Sequence, residues 1–80
     1  MKMEAIFIKD GSKVKNKGEY SRFDRSDGSK GLIYCCPQCG EVSGGTDKHK
    51  FNDEGDSVTP SIIHKCGWHG YLENNVFVGE

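Results

Sequence analysis

The chain has 80 residues, of which 34% are hydrophobic and 29% are charged, and its formal net charge at neutral pH is −1. A chain of this length forms one domain, residues 1–80, and buries too little apolar surface to fold stably without a cross-link or a bound metal. The composition therefore excludes a large self-sufficient core and directs attention to the four cysteines.

The N-terminal segment, residues 4–9, predicts a short strand that ends at the turn-forming pair Asp10-Gly11. Its apolar run is far too short for a signal peptide or a membrane span. We therefore expect a reducing cytoplasm, in which the cysteines remain thiols that can bind metal and do not form disulfides.

Residues 11–31 are polar and interrupted by glycines, and they predict a polar basic loop or a loose hairpin. Residues 1–34 contain eight Lys or Arg against five acidic residues, whereas residues 35–80 contain three against seven. The segment 13–25 interleaves Tyr20 and Phe23 with Lys13, Lys15, Lys17, Arg22 and Arg25. Such a pattern can follow a phosphate backbone and stack bases. A solvated loop is the preferred interpretation, because the acidic residues of the second half would repel the same backbone.

The rest of the chain predicts short strands and no helix. Residues 32–35 and 61–65 read as strands that each lead into a cysteine motif, and residues 41–55 read as a polar loop. Residues 71–73 and 76–78 predict a closing hairpin around Asn74-Asn75, because Asn tolerates the left-handed conformation that a two-residue turn requires. The expected fold is a small, mostly-β zinc ribbon.

Two five-residue motifs share one pattern of ligand, two spacers, ligand and glycine. They are Cys36-Pro37-Gln38-Cys39-Gly40 and Cys66-Gly67-Trp68-His69-Gly70. A Cys-x-x-Cys turn directs both sulfurs at one ion, and the following glycine lets the backbone turn away. Three thiolates and one imidazole suit tetrahedral Zn²⁺. The predicted ligands of one structural Zn²⁺ are Cys36, Cys39, Cys66 and His69.

His64 is the rival fourth ligand, because a His-x-Cys spacing places both side chains on one face of a strand. His69 is preferred, since it alone repeats the spacing of the first motif. Cys35 precedes Cys36 and points to the other face of its strand, so we expect a half-buried structural thiol outside the metal site. Trp68 is expected to pack in the core, with an exposed role as a partner anchor as the alternative.

Other chemistries fit the motifs less well. A catalytic zinc keeps a ligand position open for water, whereas four protein ligands close the coordination sphere. Zinc deaminases require a His-x-Glu that the chain lacks. A rubredoxin-like iron site requires four sulfurs. A redox dithiol of the thioredoxin kind requires a βαβ scaffold, for which no helical pattern exists.

Four segments follow one another along residues 31–78, and two of them contain the cysteine motifs. They are Gly31-Leu32-Ile33-Tyr34-Cys35-Cys36-Pro37-Gln38-Cys39-Gly40, Phe51-Asn52-Asp53-Glu54-Gly55-Asp56, Thr59-Pro60-Ser61-Ile62-Ile63 and Cys66-Gly67-Trp68-His69-Gly70-Tyr71-Leu72. This order resembles a group of small phage and prophage proteins that often carry the automatic label "ammonia monooxygenase", a title at odds with their size and ligands. The resemblance leaves the N-terminal third uncovered, and Cys35 and the basic insertion depart from the pattern.

The resemblance implies a phage-encoded zinc-ribbon protein in a bacterial host cytoplasm. The function that we expect is a non-enzymatic, zinc-stabilised binding module whose partner is a host or phage protein. Two alternatives remain open, which are a nucleic-acid-binding ribbon that uses the segment 13–25 and a small zinc enzyme. No membrane association is expected.

Overall fold

The computed structural model describes residues 2–44, 49–59 and 61–79, which fold into ten short β-strands and one 3-10 turn at Gly11–Lys13. The strands are β1 (Lys2–Glu4), β2 (Ile6–Phe7), β3 (Glu19–Asp24), β4 (Lys30–Cys35), β5 (Val42–Gly44), β6 (Lys50–Phe51), β7 (Val58–Thr59), β8 (Ile62–Ile63), β9 (His69–Glu73) and β10 (Val76–Gly79). Over these three stretches no α-helix forms, which confirms the expected small, mostly-β fold. Pro60, which belongs to one of the quoted motifs, lies outside the described residues.

The strands form two four-stranded sheets, ordered β1-β10-β9-β8 and β2-β3-β4-β5, and the pair β6-β7 forms a small third sheet. All neighbours are antiparallel except β2 and β3. The prediction of a single strand over residues 4–9 is therefore wrong. The chain divides at Ala5, which is buried and donates its backbone N–H to the Asn75 carbonyl at 3.0 Å. β1 and β2 thereby join different sheets.

Residues 11–31 contain more regular structure than their polarity indicates. The Asp10 carboxylate accepts the Ser12 backbone N–H at 3.0 Å and caps the 3-10 turn. β3 follows and pairs with β4 over five residue pairs, from Tyr20↔Tyr34 to Asp24↔Lys30. Because alternate residues of a strand face opposite sides, the Tyr20 side chain enters the core and that of Ser21 is buried on the other side of the sheet. Residues 41–55, predicted to be a loop, likewise contain β5 and β6.

The closing hairpin forms as predicted. β9 and β10 pair from Glu73↔Val76 to Gly70↔Gly79, and the two residues of the turn have positive φ angles, 49° for Asn74 and 65° for Asn75. Two consecutive left-handed residues are the requirement of the tight hairpin turn that matches strand twist. The Tyr20 hydroxyl donates a hydrogen bond to the Asn75 side-chain oxygen and ties this turn to β3.

The core lies between the two larger sheets and is centred on aromatic rings. Phe77 is fully buried, and its ring centroid lies 6.2 Å from that of Tyr20, 6.3 Å from Tyr34 and 6.0 Å from Trp68. Trp68 is 3% exposed, which confirms its predicted packing role. Aromatic contacts of this kind add stabilisation beyond the area they bury. In the described part of the chain, no helix is long and apolar enough to cross a membrane.

Candidate metal centre

The first cysteine motif forms a tight knuckle directly after β4. The Cys36 backbone N–H donates to the Glu41 carbonyl at 2.9 Å, and the Gly40 N–H donates to the Cys36 carbonyl at 2.9 Å. Gly40 has a φ of 81°, a conformation that a side chain disfavours. The chain therefore reverses within five residues and brings the Cys36 and Cys39 side chains to one side of the turn.

The second knuckle begins at His64, two residues before Cys66. The His64 N–H donates to the Trp68 carbonyl at 2.8 Å, and the Gly67 N–H donates to the His64 carbonyl at 2.9 Å. Gly67, with a φ of 99°, allows this reversal. The two knuckles are therefore closed by the same kind of glycine turn, but the second contains a His-x-Cys pair.

The two knuckles bring four ligand atoms together. Cys36, Cys39, His64 and Cys66, the four-residue cluster, each offer one atom, and these atoms lie within 4.8 Å of one another. The Cys36 and Cys66 sulfurs are 3.6 Å apart, and the Cys39 sulfur is 3.6 Å from His64 Nδ1. A zinc ion about 2.3 Å from each sulfur in tetrahedral geometry separates two sulfurs by about 3.8 Å. The cluster has the donor types and spacing for one metal ion, and all four cysteines of the chain are free thiols.

The structure does not bring His69 into this cluster. His69 pairs with Ile63 across β8 and β9, and Ile63 is 72% exposed. Cross-strand partners lie on the same face of a sheet, so the His69 side chain points to the outer face. Its Nε2 atom lies 3.2 Å from the Ser61 hydroxyl. The nitrogen beside the three predicted cysteines is that of His64, the rival in the sequence interpretation.

Strand alternation was the signal that favours His64. Ile62 is 1% exposed, Ile63 is 72% exposed and His64 is 4% exposed, so the side chains alternate between the core and solvent. His64 therefore continues the inward face of β8 to the metal centre. The shared spacing of the two five-residue motifs carries no information about this alternation.

One polar atom on the far side of the His64 ring is buried. Among residues 2–44, 49–59 and 61–79, His64 Nε2 has no hydrogen-bond partner, and a carboxylate oxygen, Glu41 Oε1, lies 3.8 Å away. Glu41 Oε1 also accepts a 2.7 Å ion pair from Lys65 Nζ. When Nδ1 binds a metal, Nε2 must carry the remaining proton. A histidine ligand usually donates that proton to a carboxylate, a backbone carbonyl or water, and the Glu41 carboxylate would become the acceptor if its side chain moved closer than the present 3.8 Å.

Replacing Glu41 with glutamine is expected to weaken zinc binding about tenfold, because the Glu41 carboxylate orients the His64 ring and increases its basicity. Competition with a chromophoric chelator measures the affinity. Glu73→Gln removes the same charge from an exposed position on β9 and serves as the control. Equal affinities for the two variants would show that Glu41 does not support the ligand.

The protein also adjusts the acidity of the sulfurs. The backbone N–H of Trp68, followed by the His64 ring, lowers the pKa of Cys66 to about 7. Burial raises the pKa of Cys36, although the N–H groups of Cys39 and Gln38 act in the opposite direction. Thiolates are the form that binds metal. The donors aimed at Cys66 therefore favour its metal-binding form, whereas the burial of Cys36 acts against the thiolate.

Cys35 lies outside the four-residue cluster, as predicted. Its side chain is fully buried, more so than expected, and its thiol donates to the Gly40 carbonyl at 3.1 Å. Burial raises the pKa of Cys35, so the neutral thiol is favoured. Its role in the fold is to hold the first knuckle against β4.

The basic segment 13–25 is only partly available to a ligand. Tyr20 is 3% exposed and belongs to the core, so its ring offers no face for a base. The Arg25 guanidinium donates to the His49 carbonyl at 3.0 Å. The side chains of Lys13, Lys15 and Lys17 are exposed. Nucleic-acid binding through this segment stays a prediction. Tyr20 is too buried to stack on a base, so that part of the prediction does not apply.

The arrangement can hold one divalent metal ion with four protein donors at the junction of two sheets. Comparisons with known protein families, with curated proteins and with solved structures find no significant match to this chain. The chemistry of the centre therefore has to be inferred from its own residues.

Proposed function

We propose that the protein is a non-enzymatic binding module whose fold depends on one structural Zn²⁺ held by Cys36, Cys39, His64 and Cys66. The observation that supports this most directly is the convergence of three sulfurs and one imidazole nitrogen within 4.8 Å. Zinc accepts this mixture of ligands in tetrahedral geometry. An iron site of the rubredoxin type would require a fourth sulfur in place of His64.

A structural role agrees better with this donor set than a catalytic one. Four protein ligands fill a tetrahedron and leave no position for a water molecule or a substrate. A structural metal can supply on the order of 10 kcal/mol to the folding of a small domain. The proposed contribution is large, because an 80-residue chain has only a small core.

The proposed architecture is a zinc ribbon. Two knuckles at the ends of short strands, one after β4 and one after β8, support this assignment. The order of the motifs along residues 31–78 supports the further proposal that the chain is phage-encoded and works in a bacterial host cytoplasm. A module of this kind has no evident chemistry of its own, and we propose that it acts by binding another protein.

Native mass spectrometry of the purified protein tests the zinc proposal. We expect one zinc ion per chain, and removal by a chelator should broaden the charge-state distribution as the domain unfolds. A folded protein without bound metal, or one that keeps its narrow charge distribution after chelation, would contradict a structural zinc. The cysteines would then be candidates for redox or nucleophilic chemistry.

A further inference from the structure

A cleft of about 430 Å³ opens beside the β3–β4 hairpin, next to the turn that joins β6 to β7. Three phenylalanines, Phe7, Phe23 and Phe51, contribute to its lining, together with Arg22. None of the four candidate metal ligands lines it. The other polar residues of the lining are Asp24, Lys30, Asn52 and Asp53, and the volume falls within the range of ligand-binding clefts. We call it the aromatic cleft.

The Arg22 guanidinium is held in a fixed position in the aromatic cleft. Its Cζ atom lies 4.5 Å from the centroid of the Phe7 ring and 5.8 Å from that of Phe51. Its Nη1 atom donates to the Gly55 carbonyl at 3.2 Å. A Cβ atom at Gly55 would collide with that nitrogen, so the glycine makes room for the contact. The two rings and the carbonyl therefore orient the guanidinium before any ligand arrives, which reduces the entropic cost of binding.

The charge of Arg22 is not neutralised by the protein. Over residues 2–44, 49–59 and 61–79, no carboxylate lies within ion-pair distance of its guanidinium. The other cation of the aromatic cleft, Lys30, forms an ion pair with Asp24. A guanidinium has five N–H donors, and the Gly55 carbonyl accepts from one Nη1 group. Several donors of Arg22 thus remain for an anionic acceptor.

The surroundings limit the kind of anion. Asp53 also lines the aromatic cleft and would repel a group with several negative charges, such as a nucleic-acid backbone, whereas the charge of Asp24 is offset by Lys30. A single carboxylate suits the planar fork of Arg22, which can bind both of its oxygens. The Phe7 ring is 41% exposed and offers an apolar surface directly beside that fork.

We propose that the aromatic cleft binds a segment of a partner protein in which a carboxylate side chain lies next to an aromatic or aliphatic one. The carboxylate accepts hydrogen bonds from Arg22, and the apolar side chain covers Phe7. This inference rests on the proposed function and deepens it, because it names the chemistry of the protein partner. It does not depend on which metal the four-residue cluster holds.

A selection from a yeast-displayed library of random heptapeptides tests the proposal on the full-length, metal-loaded protein. We expect enrichment of sequences with Asp or Glu adjacent to Phe, Tyr or Leu. A synthetic peptide with the enriched sequence should bind Arg22→Gln about tenfold more weakly than the original protein, as measured by fluorescence polarisation. Lys9→Gln is the matched control, because it removes one positive charge from an exposed residue outside the aromatic cleft.

Two outcomes would overturn the proposal. One is the absence of acidic residues among the selected peptides, including the case in which only basic peptides are enriched. The other is equal binding of the enriched peptide to the original protein and to Arg22→Gln. Circular dichroism and zinc content of each variant show that it is folded, and Phe7→Ala replaces Arg22→Gln if the latter does not fold. Loss of the aromatic-cleft proposal would leave the zinc result of mass spectrometry unaffected.

Discussion

Replacing His64 with alanine is expected to weaken zinc binding by roughly 100-fold or more and to unfold much of the domain at micromolar zinc. The His64 Nδ1 atom lies 3.6 Å from the Cys39 sulfur, and the residue is only 4% exposed. The substitution therefore removes one of the four donor atoms and leaves a cavity where the buried ring was. Isothermal titration calorimetry in competition with a chelator of known affinity measures the loss of zinc affinity. Far-ultraviolet circular dichroism at fixed zinc measures the unfolding.

His69→Ala is the matched control, because it removes the same side chain from the outer face of the adjacent strand. It should keep one zinc ion per chain with an affinity within about threefold of the original, as expected for a residue that does not touch the ion. The opposite pattern, with zinc lost in His69→Ala and kept in His64→Ala, would restore the assignment based on the two matching motifs. Loss in both variants would indicate that the outer-face histidine also supports the knuckle.

Replacing Phe77 with alanine should lower the free energy of unfolding by about 3–5 kcal/mol, the usual cost of deleting a buried aromatic ring. Phe77 is fully buried and packs against Tyr20, Tyr34 and Trp68, which come from three separate parts of the chain. A small domain has little stability to lose, so this loss should be a large fraction of the total even with zinc bound. Urea denaturation in saturating zinc gives the difference in free energy.

Ile63→Ala provides a comparison for the Phe77 variant, because Ile63 is a large apolar residue on a strand but is 72% exposed. We expect a change within about 0.5 kcal/mol, since exposed side chains make few contacts that folding creates. A loss below about 1 kcal/mol for Phe77→Ala would mean that the aromatic cluster is not the centre of the core.

Part of the fold could be predicted from the sequence because it depends on residues that are close together in the chain. The Asn74-Asn75 turn was predictable because few residues adopt two positive φ angles in succession, and Asn is one of them. Cys36 and Cys39 were predictable because a Cys-x-x-Cys-Gly turn has one natural geometry. Cys66 was predictable as a partner for them because it begins a second motif of the same length, although the histidine of that motif lies outside the four-residue cluster. Each of these features depends on residues within about five positions of one another.

The features that sequence reasoning missed depend on pairing between distant strands. The chain divides at Ala5 because β1 pairs with the last strand, whereas β2 pairs with β3, and no local signal distinguishes these partners. The choice of His64 over His69 is different, because it follows from side-chain alternation along β8 and from the pairing of Ile63 with His69 in the next strand. β3 was hidden because its polar residues resemble those of a loop when its partner strand is unknown.

The pairing of β1 with β10 covers a strand edge that would otherwise be exposed. β10 contains three consecutive apolar residues, Val76, Phe77 and Val78, and β1 covers the side of β10 that does not face β9. Without β1, the backbone N–H and C=O groups of this strand would form an open template for other chains. An apolar segment of high β-propensity in that position is the usual starting point for aggregation. Three residues at the N-terminal side of the chain, Lys2–Glu4, therefore act as a guard against self-association, with charged side chains at both ends of the covering strand.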